Sequence, residues 1–180
     1  MPFDADGAMA LAGTADQSVS QRISHDLVAQ HRERTSLGSA HERIGLADLG
    51  ATLSPEDALA TMTDAVARAI AQVIGARAPR GAQEWFAAGG GTRNAALMRC
   101  LARHARAFGA CVSVTDSIGV PAQAREAIAM AALGIAACDG LTITLTGVTG
   151  RRSRRVIDGI LTRSHRIFTI KAPLWRADCG

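Results

Sequence analysis

Gly89-Gly90-Gly91-Thr92-Arg93-Asn94 follows the short apolar run Trp85-Phe86-Ala87-Ala88 and opens a segment of helical periodicity. Three consecutive glycines at a strand-to-helix turn permit φ > 0 and remove every Cβ, so a flat or charged ligand can lie against the main chain. The unpaired N–H groups of the next helix's first turn then face that ligand, with the positive end of the helix dipole behind them. The same glycines also suit a tight turn between two packed elements. The surrounding chain has to decide between these readings.

Downstream, Leu97, Met98, Leu101 and Ala105 give the helix after the glycines a buried face. Ala110-Cys111-Val112-Ser113-Val114-Thr115 alternates small and β-branched residues, which predicts a strand. Asp116 to Pro121 is its loop, and Ala122 to Ala137 reads as an Ala-rich helix carrying Ile128, Met130, Leu133 and Ile135. Upstream, Ser54-Pro55-Glu56-Asp57 is a helix start, with Ser as N-cap, Pro at the first helical position and two acids on the dipole. Leu59, Met62, Val66, Ala69, Ile70 and Val73 form a core stripe at helical spacing, closed by Gly75 as a C-cap. A Pro/Gly-marked link over 77–83 leads into a strand over Glu84–Ala88. Asp16 to Gln30 is weakly helical, with Val19, Ile23 and Leu27 on one face, and His31 to Gly50 reads as a loop. The order helix, strand, Gly-loop, helix, strand, loop, helix predicts an α/β layer fold with the two strands parallel and adjacent. Two strands make a short sheet, fewer than a complete parallel one.

Composition bounds the rest. A chain of 180 residues with 48% hydrophobic content buries one core. The formal charge of +4 gathers toward Arg151, Arg152, Arg154 and Arg155, where no aromatics are interleaved for base stacking, so no nucleic-acid partner is expected. Cys100, Cys111, Cys138 and Cys179 lack the close spacings of zinc or redox pairs, and Cys100 and Cys138 fall on apolar helix faces as small hydrophobes. No signal segment or bilayer-length apolar run occurs, which makes a cytoplasmic location and no membrane partner the expectation. Phe3-Asp4-Ala5-Asp6-Gly7 reads as a turn in which Asp6-Gly7 tolerates the left-handed region. An EF-hand fails there for want of a Glu at the twelfth loop position, and no metal site is assigned among Asp4, Asp6, Asp116 and Asp139.

Four segments taken together resemble the anhydro-N-acetylmuramic acid kinase family of the actin/hexokinase-like ATPase superfamily. They are Phe3–Gly7 with the small-residue run to Gly13; Asp57-Ala58-Leu59-Ala60-Thr61-Met62-Thr63, similar to D-x-x-A-T-L-T; and Gly89 to Met98, similar to G-G-G-x-x-N-x-x-L-M. The fourth runs from Thr115 to Pro121, through Ala124-Arg125-Glu126-Ala127-Ile128-Ala129, to Val148-Thr149-Gly150. The resemblance covers roughly Met1 to Gly159, as the C-terminal part of a sugar-kinase domain, and leaves 160–180 as an unmatched tail. It implies a partial ATPase-like domain with a short, mostly parallel sheet and packed helices. It also implies ATP and Mg²⁺ as cofactors, an amino-sugar substrate phosphorylated at its 6-position with opening of the anhydro ring, and a role in cell-wall recycling.

By that resemblance Gly89, Gly90 and Gly91 sit against the adenosine side of ATP. Asn94 holds the loop or meets the nucleotide, and Glu126 faces the sugar or a hinge, the alternative being an exposed Glu beside Arg125. The family's phosphate loop and catalytic Asp belong to its N-terminal lobe, so no catalytic residue is assigned within this chain. Other departures are the stretch near Ser36, which keeps only Ser36-Leu37-Gly38 with Glu42 further on, and Gln123 where the family pattern carries Asp. The tail from Ile160, with Trp175 in a basic aperiodic run, is expected to pack poorly. The expectation is therefore a truncated or split kinase, inactive alone or dependent on a missing N-terminal half or a homodimer. The alternative is a non-catalytic interaction module derived from that kinase.

Overall fold

A computed structural model describes residues 4–32, 49, 52–78, 81, 83–139, 141 and 143. The Arg151–Arg155 run, the Ser36–Glu42 stretch, Val148–Gly150, the tail from Ile160 and Trp175 lie outside the described residues. The chain divides into two units at Ala127/Ile128. The described elements are α1 (Ala8–Ala12), α2 (Gln17–Arg32), α3 (Pro55–Gly75), β1 (Gln83–Ala87), α4 (Ala95–Ala105), β2 (Ala110–Val114) and α5 (Arg125–Cys138). This is the α/β order expected, with strand limits within a residue of those read from the sequence.

β1 and β2 pair in parallel, Gln83 opposite Ala110 through Ala87 opposite Val114. Trp85 and Val112, across from each other, pack with Leu97 and Cys100 against Ala67, Ala71 and Leu101. Alternate residues face the other way, where the Ser113 hydroxyl donates to Glu84 Oε1 at 2.7 Å. The period of two thus sends one side of the ribbon onto α3 and α4 and the other outward.

α3 starts as its sequence demands. Ser54 sits at φ −62°, ψ 156°, and its Oγ accepts from the Asp57 amide at 3.1 Å, with Pro55 at the first helical position. Its interior corrects the expected core stripe. The buried residues are Ala60, Thr61, Asp64, Ala65, Ala67, Ala69 and Ala71, while Ile70 and Ile74 are 37% and 39% exposed and Leu59, Met62, Val66 and Val73 are half-buried. α3 packs against α1, α2 and α4 together, and small side chains let those backbones approach. Gly75 is not a left-handed cap: the helix runs through it to Ala76 in the right-handed region, and a Cβ at Gly75 would collide with the Phe108 ring. Phe108 in turn lies 6.1 Å, centroid to centroid, from Trp85.

The N-terminal turn behaves as read, with Asp6 at φ 54° and Gly7 at φ 78°, and the Asp4 carboxylate accepts from the amides of Met9 (2.8 Å) and Ala10 (3.1 Å) at the start of α1. Asp16 caps α2, accepting from the amides of Ser18 and Val19 at 2.9 and 3.1 Å. α2 extends to Arg32, beyond the expected end at Gln30, and its deepest residues are Ser20 and Ser24 while Val19, Ile23 and Leu27 stay half-buried. The expected single helix from Ala122 is a 3₁₀ turn over Ala122–Ala124 followed by α5. On α5, Cys138 is exposed rather than packed as a small hydrophobe, as are Ile128, Met130, Leu133 and Ile135.

Candidate functional site

The chain leaves β1 through Ala88 and reaches Gly89 at φ 94°, ψ −177°, a conformation open in practice to glycine alone. Gly90–Arg93 then forms one 3₁₀ turn, so only the first of the three glycines uses the left-handed half of the map. The Gly89 carbonyl takes three donors: the Thr92 amide at 3.1 Å, the Thr92 hydroxyl at 2.8 Å and Gln123 Nε2 at 3.2 Å. Its amide donates to the Ala122 carbonyl at 2.8 Å, and the Ala122 amide donates to Asp116 Oδ2 at 3.1 Å. The loop after β1 is therefore tied to the loop after β2, and Asp116 is a brace within that tie. Gly90 and Gly91 are different. Their amides have no hydrogen-bond partner among the described residues, a Cβ on Gly90 would meet nothing within 4 Å, and one on Gly91 would touch only Leu97 at 3.5 Å. An open strip of main chain with unspent donors follows the fixed Gly89.

Asn94 closes the turn as N-cap of α4, its Oδ1 accepting from the Leu97 amide at 2.9 Å. The carboxamide rests where a Cβ at Gly7 would otherwise be, so the left-handed turn at Asp6–Gly7 and the start of α4 fit by mutual absence of bulk. Glu126 is placed on the first turn of α5, with its side chain 79% exposed and 3.4 Å from Arg125 Nη2. No hydrogen bond or ion pair joins it to the glycine loop among the described residues.

Sequence reasoning missed the Asp64 cluster. Asp64 is 0% exposed, on the small-residue stripe of α3. It accepts from the Ser20 hydroxyl at 2.5 Å, from Arg103, and at 3.4 Å from Arg68 Nη2, and lies 2.6 Å from His104 Nε2. Burial by itself would raise its carboxyl. The Ser20 and His104 hydrogen bonds, with the charges of His104 and Arg103, overcome that and hold it down at about 2. The available signal was Asp64 in register with Ala60, Ala67 and Ala71, with a cation one turn on at Arg68. Among the described residues no three His, Cys, Asp or Glu side chains gather to hold a metal ion, and no helix is long and apolar enough to cross a membrane.

The family model for anhydro-N-acetylmuramic acid kinase matches residues 1–163. The chain belongs to the anhydro-N-acetylmuramic acid kinase family. It is similar to the anhydro-N-acetylmuramic acid kinase of Bordetella avium, with 35% identity over 170 residues, 88% of this chain and 42% of that protein. The kinase of the same name from Streptomyces avermitilis is 36% identical over 165 residues (89% and 41%), and that from Methylobacterium nodulans 36% over 154 residues (83% and 38%). The chain thus spans about two-fifths of the length of the curated relatives it matches.

The motifs that carry the kinase-family resemblance fall into two physical roles. Asp57 and Thr61 of the D-x-x-A-T segment clamp the α1–α2 link: Asp57 Oδ1 accepts from the Thr14 amide at 2.7 Å and Thr61 Oγ1 from the Asp16 amide at 3.0 Å. Gly13 belongs to that clamp, because a Cβ there would run into the Glu56 carbonyl. The G-G-G-x-x-N segment builds the open strip. Gln123 supplies a donor that a carboxylate lacks, and spends it on the Gly89 carbonyl and on Thr92 Oγ1 at 3.3 Å.

Proposed function

We propose that this chain forms the nucleotide-facing wall of an ATP-dependent kinase of 1,6-anhydro-N-acetylmuramic acid, within an actin/hexokinase-like ATPase fold. The kinase transfers the γ-phosphoryl group to the sugar's 6-oxygen and opens the anhydro ring with water, giving N-acetylmuramate 6-phosphate for peptidoglycan recycling. The observation that carries the reading is the strip at Gly90–Gly91, with free amides and no Cβ, beside a Gly89 that is fixed on both its amide and its carbonyl. Such backbone accepts the flat adenosine and presents N–H donors to it or to its phosphates. Asn94 keeps α4 in place behind the strip, and Glu126, exposed on α5, is available to the sugar or to a hinge. Mg²⁺ would neutralise the nucleotide's phosphates, as phosphoryl transfer requires.

Phosphoryl transfer needs charge stabilisation and positioning from both sides of the reacting group. The strip supplies one side of that arrangement, and a complementary N-terminal half or a second copy would supply the other. The exposed Ile128, Met130, Leu133 and Ile135 support the alternative of an interaction module. Light scattering on the purified chain separates these readings, a monomer counting against the module and the homodimer.

The nucleotide reading is tested with Gly90→Val. Gly90 has neither a left-handed φ nor a neighbour for the new side chain, so the variant's own melting midpoint should stay close to wild type. A non-hydrolysable ATP analogue that binds the native state raises the wild-type midpoint, and the variant should lose that rise. An equal rise in both proteins would remove the nucleotide from this strip.

A further inference from the structure

A cavity of about 790 Å³ is walled by α1, the α1–α2 link with the start of α2, α3 and α4, and Gly89–Gly91 are not among its lining residues. Its volume is within the range of small-molecule sites. One wall carries Arg99, Arg103 and Arg106; Thr14, Gln17 and Thr63 stand on the others, and no Asp or Glu lines it among the described residues. The arginine spacing of four and then three continues along one helical face, because Arg106 follows α4 directly at φ −58°, ψ −31°. Arg99 and Arg106 have no hydrogen-bond or ion-pair partner among the described residues.

Helix-end electrostatics accounts for only part of this. Arg103 lies in the last turn of α4, where a cation complements the dipole, but Arg99 lies mid-helix, where neither end of the dipole favours it. Asp64 does not neutralise the set either. It is fully buried and already engaged by Ser20, His104, Arg68 and one nitrogen of Arg103. Like charges one turn apart repel, and of the three guanidinium groups only Arg103 meets a carboxylate, leaving Arg99 and Arg106 without a counter-charge among the described residues.

We propose that this cavity binds a phosphate-bearing small molecule, with Arg99 and Arg106 gripping the phosphate and the Thr14 and Thr63 hydroxyls and Gln17 amide meeting its polar remainder. The guanidinium fork matches a tetrahedral oxyanion in both shape and charge. The site is separate from the nucleotide strip and does not depend on that reading.

The full chain is titrated by calorimetry with inorganic phosphate and, separately, with glucose 6-phosphate, while nitrogen-15 NMR follows the arginine Nε–H signals. Saturable binding with shifts at Arg99 and Arg106 is expected, and tighter binding of the ester identifies an organic phosphate over the free ion. Each arginine-to-glutamine change should weaken binding about tenfold, the loss of one charge-assisted hydrogen bond. Arg99→Lys/Arg106→Lys, which keeps the charge and removes the forks, should fall between wild type and Arg99→Gln/Arg106→Gln. Arg77→Gln/Arg125→Gln makes the same change in net charge elsewhere and should leave affinity unchanged, as should Gly90→Val. Absence of saturation with both probes, or equal weakening by the two glutamine pairs, would overturn the site.

Discussion

The Gly89–Asn94 loop and the Asp64 cluster both rest on polar groups, and they treat those groups in opposite ways. At the loop, the Gly89 carbonyl is bonded three times over while the next two amides are left unspent among the described residues. At Asp64 the carboxylate has no exposed surface and is bonded by Ser20, Arg68, Arg103 and His104. Satisfied and buried, the second arrangement joins α2, α3 and α4. Partly unsatisfied and open, the first is suited to a ligand. The difference shows why polar residues alone do not mark a site: what matters is whether their bonding capacity is already used.

The largest expected effect comes from breaking the closed cluster. Asp64→Ala removes the acceptor common to four side chains and leaves His104 and Arg68, both largely buried, without their counter-charge. Loss of one partner from a buried ionic group costs several kcal/mol, and because Arg103 is 55% exposed and can turn to solvent, a loss of about 3 kcal/mol is expected. Urea unfolding measures it. A loss below about 1 kcal/mol would place Asp64 with ordinary surface ion pairs and dissolve the contrast with the loop.

Acid titration sharpens the same contrast. The folded Asp64 carboxyl lies at about 2, below its usual 3.8. A depressed carboxyl contributes stability that is fully present above the unfolded value and is lost as pH falls through the folded one. The window is therefore from about pH 4 down to about pH 2, and the linked free energy is on the order of 2 kcal/mol. Asp16, held down by Ser18 and Val19, and Asp57, held down by Thr14 and Ser54, act in the same direction from exposed positions. Asp64→Asn should flatten most of the decline in melting midpoint over that window and leave the residual slope of those two. An unchanged slope would transfer the acid sensitivity to them.

The two regions were not equally legible. The parallel strand pair, the Ser54 cap and the strand–glycine–helix order follow from local rules, namely alternation, capping chemistry and glycine's freedom, and these act within a few residues. The strand-to-helix loop Gly89–Asn94 was legible for the same reason, although φ > 0 at Gly89 alone goes with its ties to Ala122 and Gln123, more than thirty residues away. Ranking residues by hydrophobic size put Ile70 into the core and left Ser20, Thr61 and Asp64 out of it. Close approach of several helices reverses that order, because where backbones nearly touch, small residues pack best and a buried carboxylate can collect donors from three elements at once. Gly75 was recognised as special for the wrong cause: the space it leaves is taken by Phe108, not by a turn.

The smallest expected effect tests how firmly the loop is tied. Gln123 donates to the Gly89 carbonyl and to Thr92 Oγ1 at 3.2 and 3.3 Å from an exposed position. Gln123→Asp replaces a donor with a shorter acceptor-only side chain facing a carbonyl oxygen. Both neutral hydrogen bonds are lost, each with a net cost of about 0.5–1.5 kcal/mol, and exposure puts the expectation at the lower end of that range. The Gly89 carbonyl keeps its two bonds from Thr92, so the fold should persist while amide exchange at Gly89–Thr92 quickens. Gln123→Glu, of the same length and charged as Asp is, separates reach from charge. If both variants exchange faster, the lost donor is responsible; if only the Asp variant does, the tie depends on length; and if neither does, Thr92 alone holds the carbonyl and the link between the two loops rests on the Gly89–Ala122 backbone bond.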